Sequence, residues 1–258
     1  MELSIIITTY NWPEALNAVL SSLQQQLDDD IEIIIADDGS TKETEYLINY
    51  WKKKLPHLIQ AWQPDNGFRA ARARNLAASK ASGNWLIFLD GDCICPPDFI
   101  SNHKKLSRNG KLIAGNRLLL STDETKSFIR SPSNFYNLFF KQRKSLKLIT
   151  LPLIFFRDLF PKKWEKVRSC NMGISKKDFF HIHGFDESYE GWGKEDSDLA
   201  IRAINAGMGI RLGQFATTVL HLHHNEASRE DLEENLKRLD DLKKSKRSTP
   251  LKSILRNS

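Results

Sequence analysis

Residues 84–92 read Asn-Trp-Leu-Ile-Phe-Leu-Asp-Gly-Asp. An apolar run that stops at two carboxylates around a glycine is a buried strand ending at a polar rim. Similar runs precede it at 3–8 (LSIIIT), 31–36 (IEIIIA) and 58–62 (LIQAW). Between them lie helical patterns at 13–27, with proline in the first turn, at 41–55, with Ser40 or Thr41 as the N-cap, and at 68–82. A helix over 96–107 and a strand over 111–120 follow. Strands spaced by helices mean βαβ units and a mostly parallel sheet, an α/β fold. Right-handed crossovers then put the ligand crevice at the carboxyl ends of the strands. Four strands end there in polar residues: Thr8–Asn11, Asp37–Ser40, Gln63–Asn66 and Asp90–Asp92. Loop polarity alone accounts for Asn66 and Thr9. Two separate acidic pairs on one edge repel unless something cationic or hydrogen-bonding meets them.

The chain has 258 residues, 40% of them hydrophobic and 27% charged, which excludes a disordered, collagen-like or coiled-coil protein. Three cysteines argue against a disulfide-stapled secreted domain and for a reducing compartment. The net charge of +6 is unevenly spread: −3 over 1–125, +9 over 126–168, −6 over 169–236 and +6 over 237–258. These four segments are the expected organisation: a first binding half, a basic aromatic helical insertion or flap, a second binding and catalytic half, and a basic tail, together one domain. Basic segments suit nucleic acid, anionic membrane or anionic substrate. The longest apolar stretch, around 148–156, is interrupted by Pro152 and is far short of the roughly 20 residues of a spanning helix. With no signal-type start, a cytoplasmic location is expected, with peripheral contact at an anionic membrane face.

From 169 the pattern resumes with a strand at 171–175, a short helix from 176, a Gly-rich loop, a helix at 195–206, and strands near 210–212 and 217–222. A surface helix over 228–244, capped by Ser228, leads into a frayed tail.

Three constellations carry chemistry. Asp90-Gly91-Asp92, on a tight turn at a strand end, suits a divalent cation that a diphosphate also holds. In Gly191-Trp192-Gly193-Lys194-Glu195-Asp196, Trp192 offers a flat face to a sugar ring, and Glu195 and Asp196 open a helix whose dipole keeps carboxylates ionised, as a general base requires. Capping alone explains acids in a first turn but not a tryptophan between two glycines. His221, His223 and His224 end a strand, and neutral imidazole is a good ligand for Mn²⁺ or Zn²⁺. One of them is expected to bind metal and the others to lie at the surface or behind the ligand. Cys93 and Cys95 are too close for finger spacing, which argues against structural zinc.

Taken together, SIIITTYN, EIIIADDGS, NGFRAARARN, NWLIFLDGDC, CNMGISKKDF, GFDESYEGWGKEDSDLAIR and VLHLHH resemble a family 2 glycosyltransferase of GT-A fold. The C-terminal half is similar to galactosyltransferases and chondroitin-type polymerases. The motifs run in family order over residues 3–224, most of the chain. The resemblance implies that Thr8, Tyr10 and Asp38 shape a nucleoside pocket, with Asp38 meeting the uracil, and that Arg69 and Arg74 lie near ribose and diphosphate. It implies Asp90 at ribose or sugar hydroxyls, Asp92 as a ligand of Mn²⁺ or Mg²⁺, and His221, then His223, as the later metal ligand. Asp196 matches the catalytic base, Glu195 the acceptor-binding acid, and Trp192, with Gly193 and Lys194, the acceptor platform. Lys194 departs from the pattern, standing where galactosyltransferases often carry a small residue. The implied reaction is a single inverting displacement from a UDP-sugar to a glycan or glycolipid hydroxyl, in lipooligosaccharide, lipopolysaccharide or capsule.

For the basic insertion, an acidic or phosphorylated lipid-linked glycan is the leading partner, a solvated cationic surface the next, and nucleic acid the last, so no nucleic acid is expected. Rival functions are a nucleotidyltransferase acting on sugar phosphates, a dehydrogenase and a non-catalytic glycan-binding homologue. The first usually has a glycine-rich phosphate loop where this chain has Thr-Thr-Tyr-Asn. The second needs a G-x-G-x-x-G that is missing. The third has no use for Asp92 and Asp196 together.

Overall fold

Isoleucine-rich runs make central strands because both of their faces can be buried. The computed structural model describes residues 1–130, 157–158, 163–225 and 228–257. Its strands are β1 Leu3–Thr9, β2 Ile31–Asp37, β3 Leu58–Trp62, β4 Trp85–Asp90, β5 Cys93–Ile94, β6 Lys111–Ala114, β7 Asn116–Leu119, β8 Asn171–Ser175, β9 Gly209–Leu212 and β10 Thr218–His221. Its helices are α1 Pro13–Gln24, α2 Lys42–Lys52, α3 Ala70–Lys80, α4 Phe99–Leu106, α5 Thr122–Arg130, α6 Lys176–His181, α7 Glu195–Asn205 and α8 Leu232–Ser245.

Seven strands form the main sheet in the order β3-β2-β1-β4-β8-β6-β9. Side chains alternate across it with period two. Ile5, Ile7, Ile33, Ile35, Ile87 and Leu89 enter one core with α1 and α2. Ile6, Ile34, Leu86 and Phe88 enter the other, against α3 and α7. Helix α3 approaches closely because its inward positions are Ala71, Ala73, Ala77 and Ala78, all buried.

The sheet departs from the expected parallel pattern at one strand. β8 runs antiparallel to both β4 and β6, while the β1–β2, β1–β4, β2–β3 and β6–β9 pairs are parallel. The single strand expected over 111–120 is two strands in different sheets. A Cβ at Gly115 would sit 2.3 Å from the Asn171 side chain, so only glycine lets the chain pass there. Beyond it β7 joins a small second sheet in the order β5-β10-β7. Asn171 locks this crossing through Nδ2, which donates to the Asn116 and Thr217 carbonyls. Beside it lies His103 of α4, fully buried, its Nε2 3.4 Å from Asn171 Oδ1; burial pushes its pKa down to about 3.

Two helix starts differ from the sequence reading. Thr41 precedes α2, but its hydroxyl donates to Glu43 instead of capping the helix. Asp231, not Ser228, stands before α8. Nor is the segment after α8 frayed. The backbone N–H groups of Leu251 and Lys252 donate to the buried Asp186, that of Ile254 donates to the buried Glu187, and Leu255 enters the second core. The sequence reading missed this because a lysine-rich segment shows its cations and not its amides. Most of the basic segment 126–168 lies outside the described residues.

Candidate active site

The parallel register of β1, β2 and β4 brings three strand ends to one edge. Thr8 lies opposite Ala36 on one side and Asp90 on the other, and Thr9 lies opposite Asp37. Asp37 is spent on local structure, accepting from Ser40 N–H and Gln60. Asp38 is buried: Oδ1 accepts from Gln63 Nε2 at 2.6 Å and Oδ2 from Arg69 N–H at 2.7 Å. Burial outweighs these bonds and raises its pKa above the usual carboxylate value. Tyr10 is half exposed at the rim and donates its hydroxyl proton to Asp65 at 2.9 Å. The Arg69 guanidinium turns back to the Pro64 carbonyl at 2.5 Å.

Arg74 does not hang free over a ligand. It is only 3% exposed and has three fixed partners: Nε donates to Thr8 Oγ1 at 3.0 Å, one terminal nitrogen pairs with Asp90 at 2.8 Å, and the other pairs with Glu195 at 3.2 Å. The family resemblance implied a place for Arg74 near ribose and diphosphate; the structure shows its partners within the protein. One buried cation ties the end of β1, the Asp-Gly-Asp turn and the start of α7 together.

Helix α7 begins abruptly after a loop of left-handed residues. Gly191, Gly193 and Lys194 have φ of 70°, 103° and 80°. A Cβ on Gly191 would lie 2.1 Å from the Asp231 carboxylate, so that position is closed to a side chain. Lys194 carries a Cβ in a left-handed conformation that costs roughly 1–2 kcal/mol. The loop is held from outside by Gly191 N–H on the Phe68 carbonyl and by Asn235 on the Glu190 carbonyl. Trp192 is exposed, with the Arg229 guanidinium 5.0 Å from its ring centre.

The two acids that open α7 differ in freedom. Glu195 Oε1 also accepts from Ser169 at 3.0 Å, and burial, reinforced by the neighbouring charge of Asp196, raises its pKa against the opposing pull of Arg74. Asp196 accepts through Oδ1 alone, from Ser197 N–H and hydroxyl, leaving Oδ2 without a hydrogen bond among the described residues. Of the two acids, Asp196 is the one with a carboxylate oxygen left open.

Asp92 faces two imidazoles. His221 Nε2 lies 3.6 Å and His224 Nε2 3.2 Å from Asp92 Oδ2. In each ring Nδ1 sits at a backbone carbonyl, Leu222 O at 2.8 Å and Asn225 O at 2.7 Å. A carbonyl only accepts, so each Nδ1 carries a proton; each Nε2 points at the Asp92 carboxylate, and His224 Nε2 donates to it. Burial would raise the Asp92 pKa, but the two histidines hold it below the usual range, and the hydrogen bond to Asp92 pushes His224 up to about 9. His223 is exposed, and its backbone N–H donates to Thr125. The structure thus puts His224, not His223, beside His221. Strand alternation ends with β10 at His221, so period two no longer selects the next histidine.

The sequence reading also missed Asn75, Ser169 and Cys93. Asn75, buried beside Arg74 on α3, bonds the Phe185 backbone and Glu187. Its signal was a polar residue in an alanine-rich helix face. Cys93, next to Asp92, has its Sγ 3.5 Å from Asp92 Oδ1.

Comparison with known proteins bears on the family and the fold. The pattern of glycosyl transferase family 2 matches residues 4–167, and that described as the N-terminal domain of galactosyltransferase matches 155–225. The chain belongs to glycosyl transferase family 2. It is 26% identical over 218 residues to validoxylamine A glucosyltransferase of Streptomyces hygroscopicus subsp. jinggangensis, covering 78% of this chain and 50% of that one. It is 25% identical over 243 residues to Escherichia coli chondroitin synthase, covering 81% and 33%. The chain spans half or less of the length of these relatives. Among solved structures, S. aureus TarS in complex with UDP-GlcNAc has a TM-score of 0.67 at 16% identity, over 93% of this chain and 65% of that one. A mannosyltransferase from Pyrobaculum calidifontis, in complex with GDP-Man and Mn²⁺, has a TM-score of 0.58 at 17% identity, over 85% and 56%. These likenesses establish the GT-A type of α/β fold. Among the described residues no helix is long and apolar enough to cross a membrane.

Proposed function

We propose that this chain transfers a hexose or N-acetylhexosamine from a UDP-sugar to a hydroxyl of a cell-surface glycan, with inversion at the anomeric carbon. The observation that carries the reading is the Arg74 bridge, which joins the Asp-Gly-Asp turn to the acidic start of α7 and so makes one site of two motifs far apart in sequence. Thr8, Tyr10, Asp38 and Arg69 line the nucleoside side, with Asp90 reaching the ribose or sugar hydroxyls. The donor class is supported by the family and by the UDP-GlcNAc in the similar TarS structure.

Asp92, His221 and His224 fit a divalent cation, since a carboxylate and two imidazole Nε2 atoms converge and each Nε2 is a metal donor once it holds no proton. They would hold Mn²⁺ or Mg²⁺, and the cation would supply positive charge to a departing nucleoside diphosphate. The protein's own residues do the rest. Trp192 stacks on the acceptor sugar while Gly193 and Lys194 set its edge. Glu195, fixed by Arg74 and Ser169, accepts from an acceptor hydroxyl and orients it. Asp196 removes the proton of the attacking hydroxyl, a contribution of roughly 10²–10⁴-fold in rate. The acceptor is read as a lipooligosaccharide, lipopolysaccharide or capsular glycan, reached from the cytoplasm with the basic segment toward the acceptor or an anionic membrane face.

The test is Asp196→Asn with a panel of UDP-sugars. Donor binding by calorimetry is expected to persist while transfer falls by roughly the general-base factor; normal transfer by this variant ends the assignment. Release of UDP from a sugar nucleotide separates the reading from a nucleotidyltransferase and from a non-catalytic glycan-binding homologue.

A further inference from the structure

The cation-binding corner contains a donor that the Asp–His reading does not use. Strand β5 pairs antiparallel with β10 so that Cys93 stands directly opposite His221. Residues directly opposite in such a pair project to the same face of the sheet. The Leu222 N–H donates to the Asp92 carbonyl at 2.9 Å and fixes the register just beyond the pair. As a result the Asp92 oxygen, the Cys93 sulfur and a His221 ring nitrogen all lie within 4.8 Å of one another. His224 adds a second imidazole nitrogen 3.2 Å from Asp92. Cys93 is a free thiol with no solvent exposure, so the sulfur serves an internal partner and not a reagent from outside.

We propose that Cys93 is a sulfur donor of this site, which makes it a thiophilic centre that takes Zn²⁺ or Cd²⁺ in preference to Mg²⁺. The proposal rests on the reading that Asp92 and His221 hold the cation. One oxygen, one sulfur and one nitrogen donor converge in a set suited to Zn²⁺ and Cd²⁺, with His224 or water for a fourth position, whereas Mg²⁺ prefers six oxygens. On binding, the sulfur forms a bond to the cation and its proton leaves to solvent. The Cys93–Asp92 hydrogen bond is exchanged for two bonds to one ion. The site therefore presents two faces to metals: a softer set with the thiolate engaged, and a harder Asp–His set completed by water and phosphate oxygens. Trace Zn²⁺ would occupy the first and compete with Mn²⁺ or Mg²⁺ on the second.

The test is titration of the full chain with Cd²⁺, free of reductant thiols, while the ultraviolet thiolate-to-cadmium charge-transfer band is followed. One equivalent is expected to produce the band. Cys93→Ser is expected to abolish it and to weaken Cd²⁺ and Zn²⁺ by at least the roughly 10–100-fold that loss of a supporting partner at a metal site costs, while Mg²⁺ binding is unchanged. Because all three thiols are buried, each variant is first checked for the circular-dichroism spectrum of the unaltered chain, and the complementary variant keeps Cys93 and removes the other two thiols, as Cys95→Ser with Cys170→Ser. Persistence of the band there supports Cys93 as the donor. Binding of Cd²⁺ with no band, or a band that survives Cys93→Ser, overturns it while leaving the Asp–His site in place. Failure of both Cd²⁺ and Mn²⁺ to bind overturns the cation reading itself.

Discussion

Arg74→Met separates two views of this site. If Arg74 grips a diphosphate, its loss raises the donor KM and leaves stability unchanged. The structure points the other way. The guanidinium is almost fully buried and its partners Asp90 and Glu195 are themselves only 29% and 14% exposed. Removing one partner of a buried ion pair typically costs about 3–5 kcal/mol, because the other charge is left uncompensated. Against a total stability of about 5–15 kcal/mol that is a large fraction, and it corresponds to a fall in Tm of roughly 10 °C for a chain of this size. Methionine fills much of the stem volume, so the loss is chiefly electrostatic.

The pH dependence sharpens the test. Burial and Asp196 already raise the Glu195 pKa, and Arg74 opposes them; without Arg74 it rises further. A carboxyl whose folded pKa lies above its unfolded value costs stability above that unfolded value, and the cost disappears as pH falls toward it. The deficit of Arg74→Met is therefore expected to be full at neutral pH and to shrink toward about pH 5, closer to the free glutamate value. Urea unfolding without nucleotide measures both. Adding Glu195→Gln should recover about 1–3 kcal/mol as coupling energy. A loss below about 1 kcal/mol with a raised donor KM refutes the structural role and restores Arg74 to the ligand.

Other perturbations give separate readouts. His103 is buried neutral with its pKa near 3. The unfolded histidine titrates near 6.5, so stability is constant above that pH and falls below it, by about 2 kcal/mol at pH 5. Urea titrations of His103→Gln should show a flatter slope there, and an unchanged slope counts against the assignment. Lys194→Gly relieves a left-handed φ of 80° and is expected to stabilise the fold by up to about 1 kcal/mol, read as a higher urea midpoint; a lower midpoint means the lysine makes a stabilising contact. Leu255→Ala removes a side chain 1% exposed in the second core and should cost about 2–5 kcal/mol, whereas a frayed tail would lose nothing in the same urea assay.

The α/β fold was legible because it rests on period and punctuation. The runs at 3–8, 31–36 and 84–89 became the adjacent interior strands β1, β2 and β4, and Asp90 fell at the edge that right-handed crossovers require. What stayed hidden depends on contacts between distant segments. Nothing in the local pattern at Gly115 says that Asn171 crosses it at 2.3 Å from a missing Cβ, so one strand was read for two. Strand β5 has two residues, too few for any period. Arg74 resembled a ligand-binding cation because arginine suits phosphate, and only the fold reveals that Asp90 and Glu195 already occupy its fork. The choice among three histidines turned on a chain that leaves its strand at His221.

The partners of the buried carboxylates support the proposal of an external cation at the Asp92 corner. Asp90 and Glu195 share Arg74. Asp198 has Arg202, whose other nitrogens are held by the Ile182 and Gly184 carbonyls. Asp186 and Glu187 receive the backbone amides of Leu251, Lys252 and Ile254, with Arg247 near the first and Arg72 near the second. Glu32, far from the site edge, is served by the Ser4 and Ser82 hydroxyls and the Ser82 and Gly83 amides, and its pKa is lowered. These partners are permanently charged or built into the backbone and neighbouring hydroxyls, so they cannot be exchanged for a ligand. Asp92 is different: its partners are two imidazoles and a thiol, all of which can give up a proton and become metal donors. A fold that supplies arginine or amides to its other buried acids, and only exchangeable groups to this one, supports the proposed site: a bound cation would take over the charge compensation that the His224 proton supplies without it.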